Sequence, residues 1–427
     1  MLKTRFLLWM VAVMMFGFAA VADEPKMEFM DLILKPNLET AHIGGVQMPS
    51  AEALKNMHGG QYILRAGQKR LTKVEVEKTL LPHCPKVGVQ HVQVDVGPED
   101  TIYSLQRTNL CKSTDGGRTW SARPISPPKG WTVAEMGRWK VLRDGTFICV
   151  AAKMGREHSP AVVLNSSDEA RTWKKQAEIP LEMKLPQSGK DYAARYCHRG
   201  LDRLQDDTLL WVIDVRDKPY TEGHGLFCFR SADRGKTWQG PELMMDWGSE
   251  GATVLLPSGR VLATMRYQRL PHPSDGADLR KHMGHHPRTG ELIGFKNVFL
   301  IDSNDGGQTW SVPRLLTTVY GQTFGYPAVQ SDGTVVVVHD TRYGPGRPGA
   351  RALISRDEGK TWDNEVYYLD HTEITGSYSA SVVLKDDTIL TISASSRVPL
   401  SKVSGRQREK DGDTMTDLYA IRWKPQK

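Results

Sequence analysis

The sequence predicts an all-β chain, a six-bladed β-propeller of four-stranded antiparallel blades. Two repeated patterns carry that prediction. One is an octapeptide, Ser-x-Asp-x-Gly-x-Thr-Trp, that occurs five times: STDGGRTW at Ser113–Trp120, SSDEARTW at Ser166–Trp173, SADRGKTW at Ser231–Trp238, SNDGGQTW at Ser303–Trp310 and SRDEGKTW at Ser355–Trp362. The other is a pair of alternating strands around a tight turn, found six times, at 92–105, 141–152, 201–215, 252–265, 327–340 and 379–393. The boxes lie 53, 65, 72 and 52 residues apart, which suits one four-stranded sheet each. Units of this period cannot bury their own faces and must pack side by side, in a ring when the strands are antiparallel. The composition agrees: 427 residues, 39% hydrophobic and 25% charged, describe a globular chain and exclude collagen-like, disordered and multi-spanning classes.

Residues 1–22 read as a secretory signal. Lys3 and Arg5 supply the positive start, Phe6 to Phe18 the apolar run, and Ala20-Val21-Ala22 the small-x-small cleavage pattern. The run is shorter than the roughly 20 residues of a spanning helix, and no cysteine stands at the cleavage point to take a lipid. The expectation is therefore a secreted or periplasmic protein cleaved near Ala22, with no stable membrane anchor. Removing this segment takes the net charge from +7 to +5, and no basic run suggests a nucleic-acid partner. Of the five cysteines, Cys149 in FICVAA and Cys228 in LFCF read as buried thiols, while Cys84, Cys111 and Cys197 are left open. No CxxC or Cys/His spacing is present, so neither a metal nor another cofactor is expected.

Residues 23–85 form a lead-in, expected to donate the strand that closes the ring; QYILR at 61–65 is the segment best suited to it. Residues 86–427 are the propeller. Within each box, Ser and Asp side chains bond back to backbone N–H groups and the glycine supplies a positive φ. Asp115, Asp168, Asp233, Asp305 and Asp357 are accordingly read as structural, not catalytic.

Strand alternation places the start of strand 1 and the end of strand 2 of every blade on one face, with the boxes opposite. Eight residues before the tight turns stand His91, Met136, His198, Glu250, Phe324 and Tyr378, with Arg138 and Arg199 within two places of that level. Arg216, Arg266 and Arg342 follow the second strands. Several guanidinium groups converging on one mouth suit a carboxylate, which they grip bidentately.

These residues resemble the sialidase (neuraminidase) family, whose Asp-box of the bacterial neuraminidase repeat matches the octapeptide. The resemblance implies three arginines on the sialic-acid carboxylate, a tyrosine nucleophile, a glutamate that takes its proton, and an aspartate acid/base. It assigns Glu250 and Arg266 on one strand pair, Arg342 with Arg351 as competitor, and Tyr378 in GSYSASVVLKDDTIL. A phenol suits an anomeric carbon beside a carboxylate, because a charged nucleophile would meet like charge; it needs a base at hand. Tyr378 also reads as a rim aromatic, and Glu250 as an ion-pair partner of Arg266. The chain departs from the family at the first arginine, where VGVQHVQV surrounds His91, and Arg199 is the substitute. The acid/base position in SLQRTNLCKS holds no carboxylate; Asp217, Glu222 and Glu157 are the replacements. A polar loop at 267–293 carries His272, His282, His285 and His286 over the same face and reads as a solvated lid rather than a metal site.

The expected function is retaining exo-hydrolysis of a terminal sialic acid or related anionic sugar on a glycan or glycoconjugate. The alternatives are a non-catalytic glycan- or protein-binding propeller, and a propeller hydrolase or lyase acting on another acidic glycan.

Overall fold

Each strand pair becomes the inner hairpin of one antiparallel sheet, and the six sheets follow one another in chain order as blades 1 to 6. The computed structural model describes residues 61–65, 72–74, 76–82, 92–106, 109–132, 135–153, 159–183, 193–194, 200–216, 224–246, 248–269, 284–285, 292–317, 321–341, 349–363, 365–370, 379–396 and 416–426. The signal segment and residues 23–60 lie outside them. Among the described residues no helix is long and apolar enough to cross a membrane.

The innermost strands are Gln93–Val96, Arg138–Val141, Leu201–Arg203, Gly248–Leu255, Gln322–Val329 and Ser379–Val383. Each touches the next, and Ser379–Val383 returns to Gln93–Val96, so the ring closes around an axial channel. Between the blades lie the cores. Leu142, Ile148 and Val163 meet Trp211, Ile213 and Phe229 between blades 2 and 3, and Leu262, Leu300, Val337 and Leu353 meet between blades 4 and 5. Such pairings follow from the alternation of side chains along a strand, which gives every blade two apolar faces.

The ring is sealed by a strand other than the expected one. Glu77–Leu80 pairs with Thr416–Trp423 and completes blade 6. Gln61–Arg65 instead pairs with Glu365–Tyr368 and extends blade 5, followed by Thr72–Val74. The physical reason lies in the two edges. Blade 5 ends on the buried strand EVYY, which the apolar QYILR covers, with Ile63 fully buried against Val336 and Tyr367. Blade 6 needs a strand that faces water. EKTL suits it through Glu77, which accepts from Arg422 at 3.0 Å, and Lys78, which reaches Asp370 at 2.9 Å.

On the opposite face, each box links the third strand of a blade to the fourth. In one copy the Asp305 carboxylate accepts from the Gln308 and Thr309 backbone N–H groups at 3.0 and 2.9 Å, from Thr309 Oγ1 at 2.6 Å and from Ser303 Oγ at 2.8 Å. The same set recurs in the other four copies. The Thr309 hydroxyl does most, against the opposing effect of burial, to hold the Asp305 carboxyl down to about 2. The box aspartates are thus consumed by turn geometry. Gly307, at φ 91, shows why the glycine is needed: a Cβ there would stand 2.9 Å from Leu210 of blade 3. Each box is therefore also a contact with the preceding blade, and Ala170, at φ 61, takes this conformation at the position where the other four boxes carry glycine.

Candidate active site

The inner strands of blades 4 and 5 depart from the plain pattern. Each carries a bulge, between Ser249 and Ala252 in blade 4 and between Thr323 and Tyr326 in blade 5. The bulged residues Glu250 and Phe324 take φ 49 and φ 58, left-handed values uncommon outside glycine. The following glycines press on the blade before. A Cβ on Gly251 would lie 2.7 Å from Leu226, and one on Gly325 would lie 2.7 Å from Val298. Bulges re-aim side chains, and here the re-aimed residues are the ones at the channel mouth.

Glu250 meets Arg266. Ser249 lies directly across the hairpin from Arg266, so the bulge brings Glu250 beside the guanidinium. Arg266 Nη1 donates to Glu250 Oε2 at 2.5 Å, and both side chains are 10% exposed. The Arg266 guanidinium also lies 4.6 Å from the centre of the Phe324 ring, so the two bulged residues bracket one cation. Partners at this depth hold each other in place: removing one leaves a buried charge at a cost of about 3–5 kcal/mol.

Deeper in the channel, Arg138 of blade 2 crosses to blade 5. Its Nη2 donates to the Tyr326 hydroxyl at 2.6 Å and its Nη1 to the Val92 carbonyl at 3.4 Å. Below it Lys140 lies between Asp95 at 3.1 Å and Asp202 at 3.4 Å. Burial alone would lower the Lys140 pKa; the two carboxylates outweigh it and raise it above the ordinary lysine value. Asp95 accepts from Val141 N–H, and Asp202 from Thr253 N–H and Oγ1. Acids on one inner strand thus bond the backbone of the next, and Lys140 of blade 2 takes its partners from blades 1 and 3.

The structure brings Glu250 and Arg266 together and places Arg138 beneath them. Arg199, Asp217, Glu222, Glu157, Arg342, Tyr378, His272, His282 and His286 lie outside the described residues; His285 is described only as backbone in the short strand Gly284–His285. Arg351, the competitor of Arg342, is fully buried over the Tyr368 ring at 4.5 Å. It faces His339 across the strand pair. Burial, aided by Arg351, pushes His339 down to about 3, so this imidazole is neutral. Cys149 and Cys228 are buried free thiols, and Cys111 is buried as well.

Sequence reasoning missed Tyr326 and the Lys140 network. A signal for the first was present. Two residues beyond the mouth level the blades read Gln93, Arg138, Gly200, Ala252, Tyr326 and Ala380, so Arg138 and Tyr326 stand with Gln93 as long polar side chains among three small ones.

No family model matches the chain. A curated sialidase of Bacteroides fragilis is 27% identical over 216 residues, which are 43% of this chain and 37% of that protein. The chain thus aligns with well under half the length of that relative. Among solved structures, an α-L-arabinofuranosidase of Fusarium graminearum superposes with a TM-score of 0.53 at 14% identity, covering 78% of this chain and 92% of that one. A protein of unknown function from Dyadobacter fermentans gives 0.52 at 16% identity, over 82% and 98%. A curated sialidase is thus similar to the chain over part of its length. The chain is a sialidase-like six-bladed propeller.

Proposed function

We propose that the chain is an exported glycoside hydrolase of the sialidase type, releasing a terminal sialic acid or related anionic sugar with retention. The observation that carries this reading is the buried Glu250–Arg266 pair at the mouth of the channel. A sugar acid needs a cation for its carboxylate and, if a phenol is to attack beside that carboxylate, a base for the phenol.

In this reading Tyr378, which directly precedes the blade 6 strand Ser379–Val383, is the nucleophile. As its oxygen attacks the anomeric carbon, Glu250 takes the phenolic proton, since a phenol of reference pKa about 10 is a poor nucleophile unaided. The leaving oxygen takes a proton from an acid for which Asp217 and Glu222 stand. Water then opens the tyrosyl–sugar bond with the same group as base. Arg266, with Arg342 and Arg199, holds the substrate carboxylate. The ion pair adds timing: when the substrate carboxylate draws Arg266 to itself, Glu250 loses cationic stabilisation and becomes the stronger base.

Turnover of a fluorogenic sialoside is the test. Tyr378→Phe abolishes release with the fold intact, and Glu250→Gln lowers kcat by about 10²–10⁴, the range for losing a general base. A wild type that turns over no sialoside, or a Tyr378→Phe variant as active as wild type, overturns the reading. Glycan binding by the wild type without product release assigns the mouth to a binding propeller instead.

A further inference from the structure

The Glu250–Arg266 pair has a connection that reaches across the ring. Arg138 belongs to blade 2 and Tyr326 to blade 5, 188 residues later, yet the guanidinium and the phenol meet at 2.6 Å with both residues buried. Tyr326 is the first residue after the blade 5 bulge to regain regular pairing, opposite Val338. The bulge itself is clamped to the strand that carries Arg266. Thr264 Oγ1, two residues before Arg266, donates to the Gly325 carbonyl at 2.8 Å, and Phe324 places its ring under Arg266. A continuous chain of contacts therefore runs from Arg138 through Tyr326 and the bulge to Arg266 and Glu250.

We propose that Arg138 is a positioning residue for the Arg266–Glu250 pair, acting through Tyr326 and the Phe324 bulge. The proposal rests on the reading of that pair as the working groups of the site. Phe324 holds a left-handed φ of 58, a conformation that persists only where the surroundings over-determine it. The Thr264 clamp fixes one side of the bulge, and the Arg138–Tyr326 hydrogen bond fixes the other. Without the latter, the strand can relax toward regular pairing, and the ring that supports Arg266 moves with it. Arg138 itself is 2% exposed and is held by Val92 O as well, so it acts on the pair from below rather than on substrate.

The test uses Tyr326→Phe, which keeps the ring and removes the acceptor, and Arg138→Lys, which keeps the charge and loses the fork. On a fluorogenic sialoside, Tyr326→Phe raises KM about tenfold with kcat nearly unchanged, the size of one lost hydrogen bond to a charged group. Arg138→Lys, which retains one donor, recovers part of that loss. In an Arg266→Lys background the Tyr326→Phe effect disappears, because there is no guanidinium left to misplace. A full additive loss in that background overturns the proposal, as does an unchanged KM. A second arm needs no turnover. In a crystal structure of Tyr326→Phe, Arg266 leaves the Phe324 ring and its contact with Glu250 lengthens beyond hydrogen-bond range; an unmoved pair overturns the proposal. If the wild type is inactive, the reading of function fails while this arm still judges the positioning role.

Discussion

The two faces of the ring are built on opposite plans. On the box face, five copies of one turn make the same hydrogen bonds from the same residue types, and their left-handed φ values fall within the turn, on glycines and on Glu169, Ala170, Arg234 and Glu358. At the mouth level the sequence carries five residue types in six blades, and exceptional φ values fall on Glu250 and Phe324, inside strands that would otherwise pair regularly. The box aspartates, serines and threonines bond one another and the turn backbone. The mouth holds an ion pair and an aromatic ring in conformations that cost free energy, which a repeat under selection for stability alone would have lost.

That contrast is sharpened most by breaking the buried pair. Arg266→Ala leaves the Glu250 carboxylate buried without this cation, and chemical denaturation is expected to show a loss of about 3–5 kcal/mol. Replacing both partners, Arg266→Met with Glu250→Gln, restores most of that stability, because apolar or neutral groups of similar shape cost little in place of a buried pair. Both variants lose activity. A double variant as unstable as Arg266→Ala would show that the pair serves the fold, and the mouth would then differ from the box face only in detail.

A smaller effect probes the other face. Gly307→Ala forces a side chain into φ 91 and against Leu210, and is expected to lower stability by about 2 kcal/mol. The kcat/KM of the remaining folded protein stays at the wild-type value. Activity lost at full folding would mean that the box face takes part in function.

The same contrast explains what the sequence could reveal. The boxes and strand pairs are readable because repetition multiplies a weak local signal: a single Ser-x-Asp-x-Gly turn says little, and five aligned copies define blades. Glu250 and Arg266 were found because a hairpin of known register puts residues sixteen apart at one level. Arg138 was placed near the mouth level, but its partner Tyr326 escaped because their contact joins blade 2 to blade 5, and no local pattern encodes a contact across the ring. The bulges escaped too, since Glu250-Gly251 and Phe324-Gly325 read as ordinary strand until the preceding blade is in place. The choice of closing strand failed for a related reason. QYILR is the better strand by composition, but the edge of blade 6 selects for charge, and that edge is not visible in the segment itself.

The smallest expected effect separates the two kinds of burial by pH. His339 is fully buried and pushed down to about 3 from an ordinary 6.5, by burial first and by Arg351 second. Folded chains therefore keep it neutral while unfolded chains protonate it below pH 6.5, so the unfolded state binds more protons and stability falls as the pH drops. Between pH 6.5 and 5.5 this single group accounts for about 1 kcal/mol. The box aspartates behave differently. Asp305, held to about 2 by the Thr309 hydroxyl against burial, stabilises the fold fully above its unfolded value near 4 and loses that contribution only as the pH falls toward 2. Thermal melts from pH 8 to pH 3 should therefore lose stability in two stages, and His339→Gln should remove part of the first while Asp305→Asn alters only the second. An unchanged slope between pH 6.5 and 5.5 in His339→Gln would mean that the imidazole is solvated, and that the inner side of blade 5 is as open to water as the box turns.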